Sequence, residues 1–100
     1  MSRRSGLKRE MEARKLIISG EVQGVGFRFF AQRAAAKHQV LGYVKNLPDG
    51  RVESWAQGSA GSVEAFKTEL AAGPAYSNVE QIEEIVVEPT NIYSSFRIER

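Results

Sequence analysis

From residue 15 onward the apolar positions fall into short, regular patterns. Lys15–Val22 (KLIISGEV) places Leu16, Ile18 and Val22 on one side, the period of two that a strand imposes. Gln23–Phe27 (QGVGF) is a glycine-rich turn. Phe27, Phe30, Ala31, Ala34, Ala35 and His38 then recur at three- and four-residue spacing, which predicts a helix with one buried stripe and with Gln32, Arg33 and Lys37 on its wet side. Gly42–Leu47 and Arg51–Gln57 read as two short strands. The Pro48-Asp49-Gly50 between them has turn chemistry: proline presets φ, aspartate favours the next position, and glycine tolerates positive φ. Ser59 or Ser62 can cap a second helix carrying Val63, Phe66 and Leu70, and Gly73-Pro74 stops it. Val79–Pro89, with Ile82, Ile85 and Val87, reads as a strand, with or without a bulge. Phe96 and Ile98 alternate in a short last strand.

The predicted order is β-α-β-β-α-β plus a terminal strand. Two helices that each own one apolar stripe bury it most simply on a single sheet face. The expected fold class is therefore α+β: a ferredoxin-like α/β sandwich, an antiparallel sheet of four to five strands with two helices on one face. Residues 1–14 (MSRRSGLKREMEAR) have little to bury and read as a basic, mobile extension, with 15–100 as the domain. Met11 opens MEARKLII and offers an alternative start.

The chain has 100 residues, room for one domain. It has no cysteine and one histidine, which excludes disulfides, a thiol nucleophile, cysteine-based metal sites and histidine-rich clusters. No apolar run suits a membrane span or a secretory signal, and the expected setting is the cytoplasm. The net charge of +2 divides unevenly: residues 1–14 carry five bases and two acids, the remainder nine bases and ten acids. The domain itself lacks the basic bias with which nucleic-acid binders neutralise phosphates, so no nucleic-acid partner is expected.

Two segments carry chemistry. Gly20–Arg28 (GEVQGVGFR) joins a strand to a helix, where backbone N–H groups converge on an unpaired helix N-terminus. Gly24 and Gly26 permit torsions and close approach that a Cβ would block. Arg28 follows, and its guanidinium can fork two phosphate oxygens. The segment lacks the Gly-Lys-Ser/Thr of a Walker loop and the third glycine of a dinucleotide fingerprint. By spacing alone, an anion cradle and a tight turn with a solvated arginine both stand. In Gly42–Gly50 (GYVKNLPDG), Asn46 ends a strand. It is either turn chemistry or an amide that orients a water, accepting with its oxygen and donating with its NH2. His38, Asp49, Trp55 and Tyr43 read as structural, and Glu83 and Glu84 as a solvated edge.

GEVQGVGFR resembles the first signature of the acylphosphatases, and GYVKNLPDGRVESWAQG resembles their second. The likeness continues through Phe66 and Gly73-Pro74 to Phe96-Arg97-Ile98 and spans residues 15–100. It implies the ferredoxin-like fold and a metal-independent, cofactor-free hydrolase that splits the carboxyl-phosphate bond of small acyl phosphates. It places the catalytic arginine on Arg28, the catalytic asparagine on Asn46 and the phosphate-binding loop on the backbone of Gln23, Gly24, Val25, Gly26, Phe27 and Arg28. Inorganic phosphate is then both product and inhibitor, and the expected state is a monomer. The signatures offer no nucleophilic cysteine, no serine beside a histidine and no paired carboxylates, so direct attack by water is expected, with no side chain marked as general base. The sequence departs from the family at Gln39, where a glycine often ends the first helix, and in its longer N-terminal extension. Two other readings remain: an anion- or RNA-binding module of the same fold that does no chemistry, and the related module that opens large hydrogenase-maturation carbamoyltransferases. The second is followed there by zinc-finger cysteines, which this chain lacks.

Overall fold

The structure, a computed structural model, describes residues 11–100. Its elements are β1 (Met11–Glu21), α1 (Phe27–His38), β2 (Leu41–Asn46), β3 (Val52–Ser59), α2 (Ala60–Ala72), β4 (Asn78–Val87) and β5 (Phe96–Glu99). The expected order is present. β1 begins earlier than its periodicity suggests: Met11–Arg14 pair with β3, and Ala13 and Arg14 pair with β4 as well, rather than belonging to an extension, and Ala13 is fully buried. The expected mobile tail over residues 1–10 lies outside the described residues.

The strands lie in the order β4-β1-β3-β2-β5. Three neighbouring pairs are antiparallel, but β5 joins β2 in parallel, so the sheet is mixed rather than the antiparallel one expected. The parallel edge follows from the connection. β4 and β5 occupy opposite edges, and residues 88–95 cross directly between them, so β5 runs against β4 and therefore with β2. The crossing is held down: the Gln57 amide donates to Thr90 O at 2.6 Å and accepts from Thr90 N at 3.0 Å. Tyr93 packs its ring on Tyr43 and Trp55, with centroids 6.1 and 5.8 Å apart. Tyr43 and Trp55 thus serve the sheet face opposite the helices. Burial, together with a hydrogen bond to Glu53, pushes the Tyr43 hydroxyl above the ordinary tyrosine range.

Strand alternation decides which residues meet the helices. Leu16 and Ile18 of β1, Val44 of β2, Val52 and Ala56 of β3 and Phe96 of β5 point to one side. There they meet Phe27, Ala31, Ala34 and Ala35 of α1 and Val63, Phe66 and Leu70 of α2, in a single core between one sheet face and two helices. Each large apolar side chain sealed here contributes about 1.5–3 kcal/mol. Phe66 and Phe96 meet edge to face at 5.4 Å. The expected stripe of α1 is buried at its centre, whereas Phe30 is only partly covered.

The helix ends follow their caps. Ser59 caps α2, its hydroxyl accepting from Ser62 N at 3.1 Å. α1 ends on Gln39 in the left-handed region, at φ 58° and ψ 45°, and Val40 N returns to Ala35 O at 2.8 Å. Between the helices, His38 Nε2 lies 2.6 Å and Lys37 Nζ 3.1 Å from the Glu69 carboxylate. The hydrogen bond from His38 holds that carboxyl below its ordinary range. On the far side of α2, Glu84 takes Lys67 at 2.7 Å and Arg14 at 3.0 Å, tying α2, β4 and β1 together. Glu84 is thus a cross-link rather than the solvated edge its neighbour Glu83 presents.

Two outcomes are expected. The hydrogen bond from Lys67 lowers the Glu84 pKa in the folded state. Its stabilising contribution is therefore present above the ordinary glutamate pKa and is lost as the pH falls through the folded value. Glu84→Gln should lower the urea midpoint at neutral pH and approach the parent as the pH falls through the lowered folded-state pKa, where the carboxyl is protonated in both states. A gap that persists unchanged in acid would show that Glu84 acts by packing. Independently, Gln39→Gly should raise stability by about 1 kcal/mol, because glycine adopts the left-handed region without a Cβ clash. Urea titration of the two chains at neutral pH measures it.

Candidate active site

The loop before α1 is built from two anchors and two turns. Val22 and Phe27 are buried at its ends, and Val25 packs partly on the core between them. Gly24 and Gly26 hold φ of 75° and 76°, in the left-handed region that reverses the chain between those anchors. Gly26 is the N-cap of α1, and its carbonyl accepts from Phe30 N at 3.0 Å. Among the described residues the cap has no side-chain hydrogen bond, and the first turn has no acidic residue. The positive end of the helix and its free N–H groups are thus left to an anion.

Arg28 is the second residue of α1. It is half-buried, and its Nη1 donates to Glu99 O of β5 at 3.4 Å. Glu99 stands in register with Lys45 of β2, the neighbour of Asn46. Asn46 is the last residue of β2 and pairs with Val52. Alternation puts Asn46 on the same sheet side as Val44, which faces the helices, and Lys45 on the other. The strand end bearing Asn46 therefore lies on the side where the loop and Arg28 approach.

A direct link joins these parts. The Gln23 side chain leaves the loop and donates from Nε2 to Leu47 O at 2.8 Å and to Arg51 O at 2.9 Å. Those residues flank the Pro48-Asp49-Gly50 turn, which is closed by Leu47 N to Arg51 O at 2.8 Å and Gly50 N to Leu47 O at 3.1 Å. Asp49 holds the turn by accepting from Arg51 N, and that bond keeps its carboxyl below the ordinary aspartate range. It is a turn residue, as its spacing suggests.

The loop residues expected to bind phosphate are thus continuous in space, and Arg28 and the Asn46 strand end adjoin them. The sequence reading missed two participants. It took Gln23 only for its backbone, although its side chain makes the cross-link. It had no signal for the Glu99 carbonyl, which is a backbone atom distant in sequence. The donors gathered here are N–H groups and a guanidinium, a set that suits an anion. Among the described residues no three His, Cys, Asp or Glu side chains gather as for a metal, and no helix is long and apolar enough to cross a membrane.

The acylphosphatase family model matches residues 14–98. The chain belongs to the acylphosphatase family. It is 47% identical over 87 residues to an acylphosphatase of Solibacter usitatus, covering 87% of this chain and 90% of that one. An acylphosphatase of Archaeoglobus fulgidus is 42% identical over 88 residues, covering 88% and 98%. The crystal structure of acylphosphatase from Bacillus subtilis superimposes with a TM-score of 0.86 at 35% identity, covering 89% of this chain and 99% of that one. Membership makes the chain an enzyme, and acyl phosphate hydrolysis is the activity the family supports. The ferredoxin-like α+β fold expected from the periodicity is the one it shares with these structures.

The cap geometry yields a prediction. A Cβ built on Gly26 meets nothing within 4 Å, so Gly26→Ala is strained by torsion alone. It should cost about 1–2 kcal/mol of stability by urea titration and weaken inorganic phosphate binding. Unchanged stability would mean that the loop relaxes out of the left-handed region without loss.

Proposed function

We propose that the enzyme hydrolyses small acyl phosphates by direct attack of water on phosphorus, with no metal and no covalent intermediate. What carries the reading is the meeting of an anion-suited loop, with Arg28 at its rim, and the strand end bearing Asn46. The backbone amides from Gln23 to Arg28 hold phosphoryl oxygens, and the Arg28 guanidinium forks two of them. Asn46 orients the water with its amide oxygen and NH2. As the water oxygen bonds to phosphorus, the bond from phosphorus to the acyl oxygen breaks and its electrons leave on the carboxylate. A carboxylate is a good leaving group, so the protein's task is to position the water and stabilise charge on the equatorial oxygens of a loose transition state. The water's proton passes to a phosphoryl oxygen. Inorganic phosphate occupies the same cradle and inhibits competitively. Each chain carries a whole site, so a monomer suffices.

Steady-state hydrolysis of benzoyl phosphate tests this. Asn46→Ala should lower kcat by roughly 10²-fold or more while KM and phosphate inhibition change little, because the cradle is intact. A folded Asn46→Ala chain with near-normal kcat would return Asn46 to turn chemistry. Arg28→Ala should nearly abolish turnover and weaken phosphate inhibition. Arg28→Lys should also fail, because an ammonium lacks the planar fork. Turnover should survive exhaustive chelation. Loss with chelator and recovery with one divalent ion would overturn the metal-free mechanism, and binding of phosphate without any turnover would favour the anion-binding module.

A further inference from the structure

We propose that the Gln23 side chain is a positioning residue, setting the separation between the phosphoryl cradle and the water held by Asn46. The inference rests on the roles of Arg28 and Asn46 proposed above. The cradle and Asn46 sit on different segments, and a phosphoryl transfer needs the water in line with the leaving oxygen. Arg28 is held toward β5 by one long bond to Glu99 O at 3.4 Å. Gln23 makes the shorter connection, at 2.8 and 2.9 Å, to the carbonyls of Leu47 and Arg51. Each of those oxygens already accepts one backbone N–H within the turn, from Gly50 and from Leu47. The amide hydrogens of Gln23 take up the second acceptor site of both. The turn is therefore complete only with the loop docked on it. Leu47 follows Asn46 directly, and Arg51 precedes Val52, its strand partner. One planar amide thus bridges both strands at the point where Asn46 leaves the ladder.

Both contacts are donated, so the nitrogen of the amide is required. Gln23→Leu keeps most of the volume and loses both donors. Gln23→Glu keeps the shape and sets a carboxylate against two carbonyl oxygens. The two variants are chosen so that one remains if the other does not fold.

The test is benzoyl phosphate kinetics on the full-length chain and its Gln23→Leu, Gln23→Glu, Asn46→Ala and Gln23→Leu/Asn46→Ala variants, at a temperature where circular dichroism shows each to be folded. In the Gln23 variants kcat should fall by roughly 10- to 100-fold, the scale of an ångström-sized misplacement. The Ki of inorganic phosphate should stay within about threefold in Gln23→Leu, because the loop amides and Arg28 still hold the anion. In the Asn46→Ala background, adding Gln23→Leu should lower kcat by less than about threefold, since there is no longer a positioned water to misplace. Wild-type kcat in both Gln23 variants, with Asn46→Ala slow, overturns this inference alone. A Ki that rises in step with the loss of kcat also overturns it, by making Gln23 a support of the cradle. So do losses that multiply in the double variant. Near-normal kcat in Asn46→Ala overturns the role of Asn46, and this inference with it.

Discussion

Phe27 is at once the first residue of α1 and one of the most deeply buried side chains in the molecule. Its burial pins the helix start to the end of the sheet. Everything before it must then turn sharply, because β1 ends at Glu21 and Val22 is also buried. Two left-handed glycines make that turn, and their backbone is what the proposed cradle presents to an anion. Everything after it inherits a fixed angle. Arg28, one residue on, is carried to the rim because Phe27 occupies the interior. A site built this way draws its rigidity from apolar packing rather than from its own polar groups.

The electrostatics of the loop and the start of α1 are dominated by donors. The helix N-terminus, the loop amides and Arg28 all favour negative charge, and the first turn of α1 supplies no carboxylate to compensate them. Among the described residues, several other basic side chains are held in ion pairs away from the loop. Lys67 and Arg14 serve Glu84, Lys37 and His38 serve Glu69, and Arg51 serves Asp49. The face opposite the helices is occupied differently, by the crossing of residues 88–95 and the Tyr43, Trp55 and Tyr93 rings. Its aromatic residues therefore have packing partners, which accounts for them without invoking a stacked base.

Much of this was legible in the chain. The period of two in β1, the stripe of α1, the capping serine of α2 and the Pro48-Asp49-Gly50 turn are local signals, set by torsion and by the need to bury one face. The left-handed end of α1 was suggested only by the resemblance to the family, which often has a glycine where this chain has Gln39, and the structure holds Gln39 there at φ 58°. The loop and Arg28 stood out as a glycine-rich strand-to-helix turn, but spacing left an anion cradle and a tight turn with a solvated arginine both open, and the family resemblance alone favoured the cradle.

What the tertiary structure alone decided are the relations between segments. Sequence periodicity starts β1 at Lys15, but the strand reaches back to Met11 because β3 extends far enough to pair with it there and β4 as far as Ala13. The direction of β5 is not written in Phe96-Arg97-Ile98-Glu99; it follows from a connection that crosses the whole sheet. Glu84 looks like any exposed glutamate until α2 brings Lys67 to it. The approach of Asn46 to the loop depends on strand alternation and helix placement together. The Gln23 amide could not be assigned to the Leu47 and Arg51 carbonyls by spacing, because a contact between residues more than twenty positions apart is fixed only once the core has closed. Local chemistry selected the parts, and the shared burial of two helices on one sheet face set the distances between them.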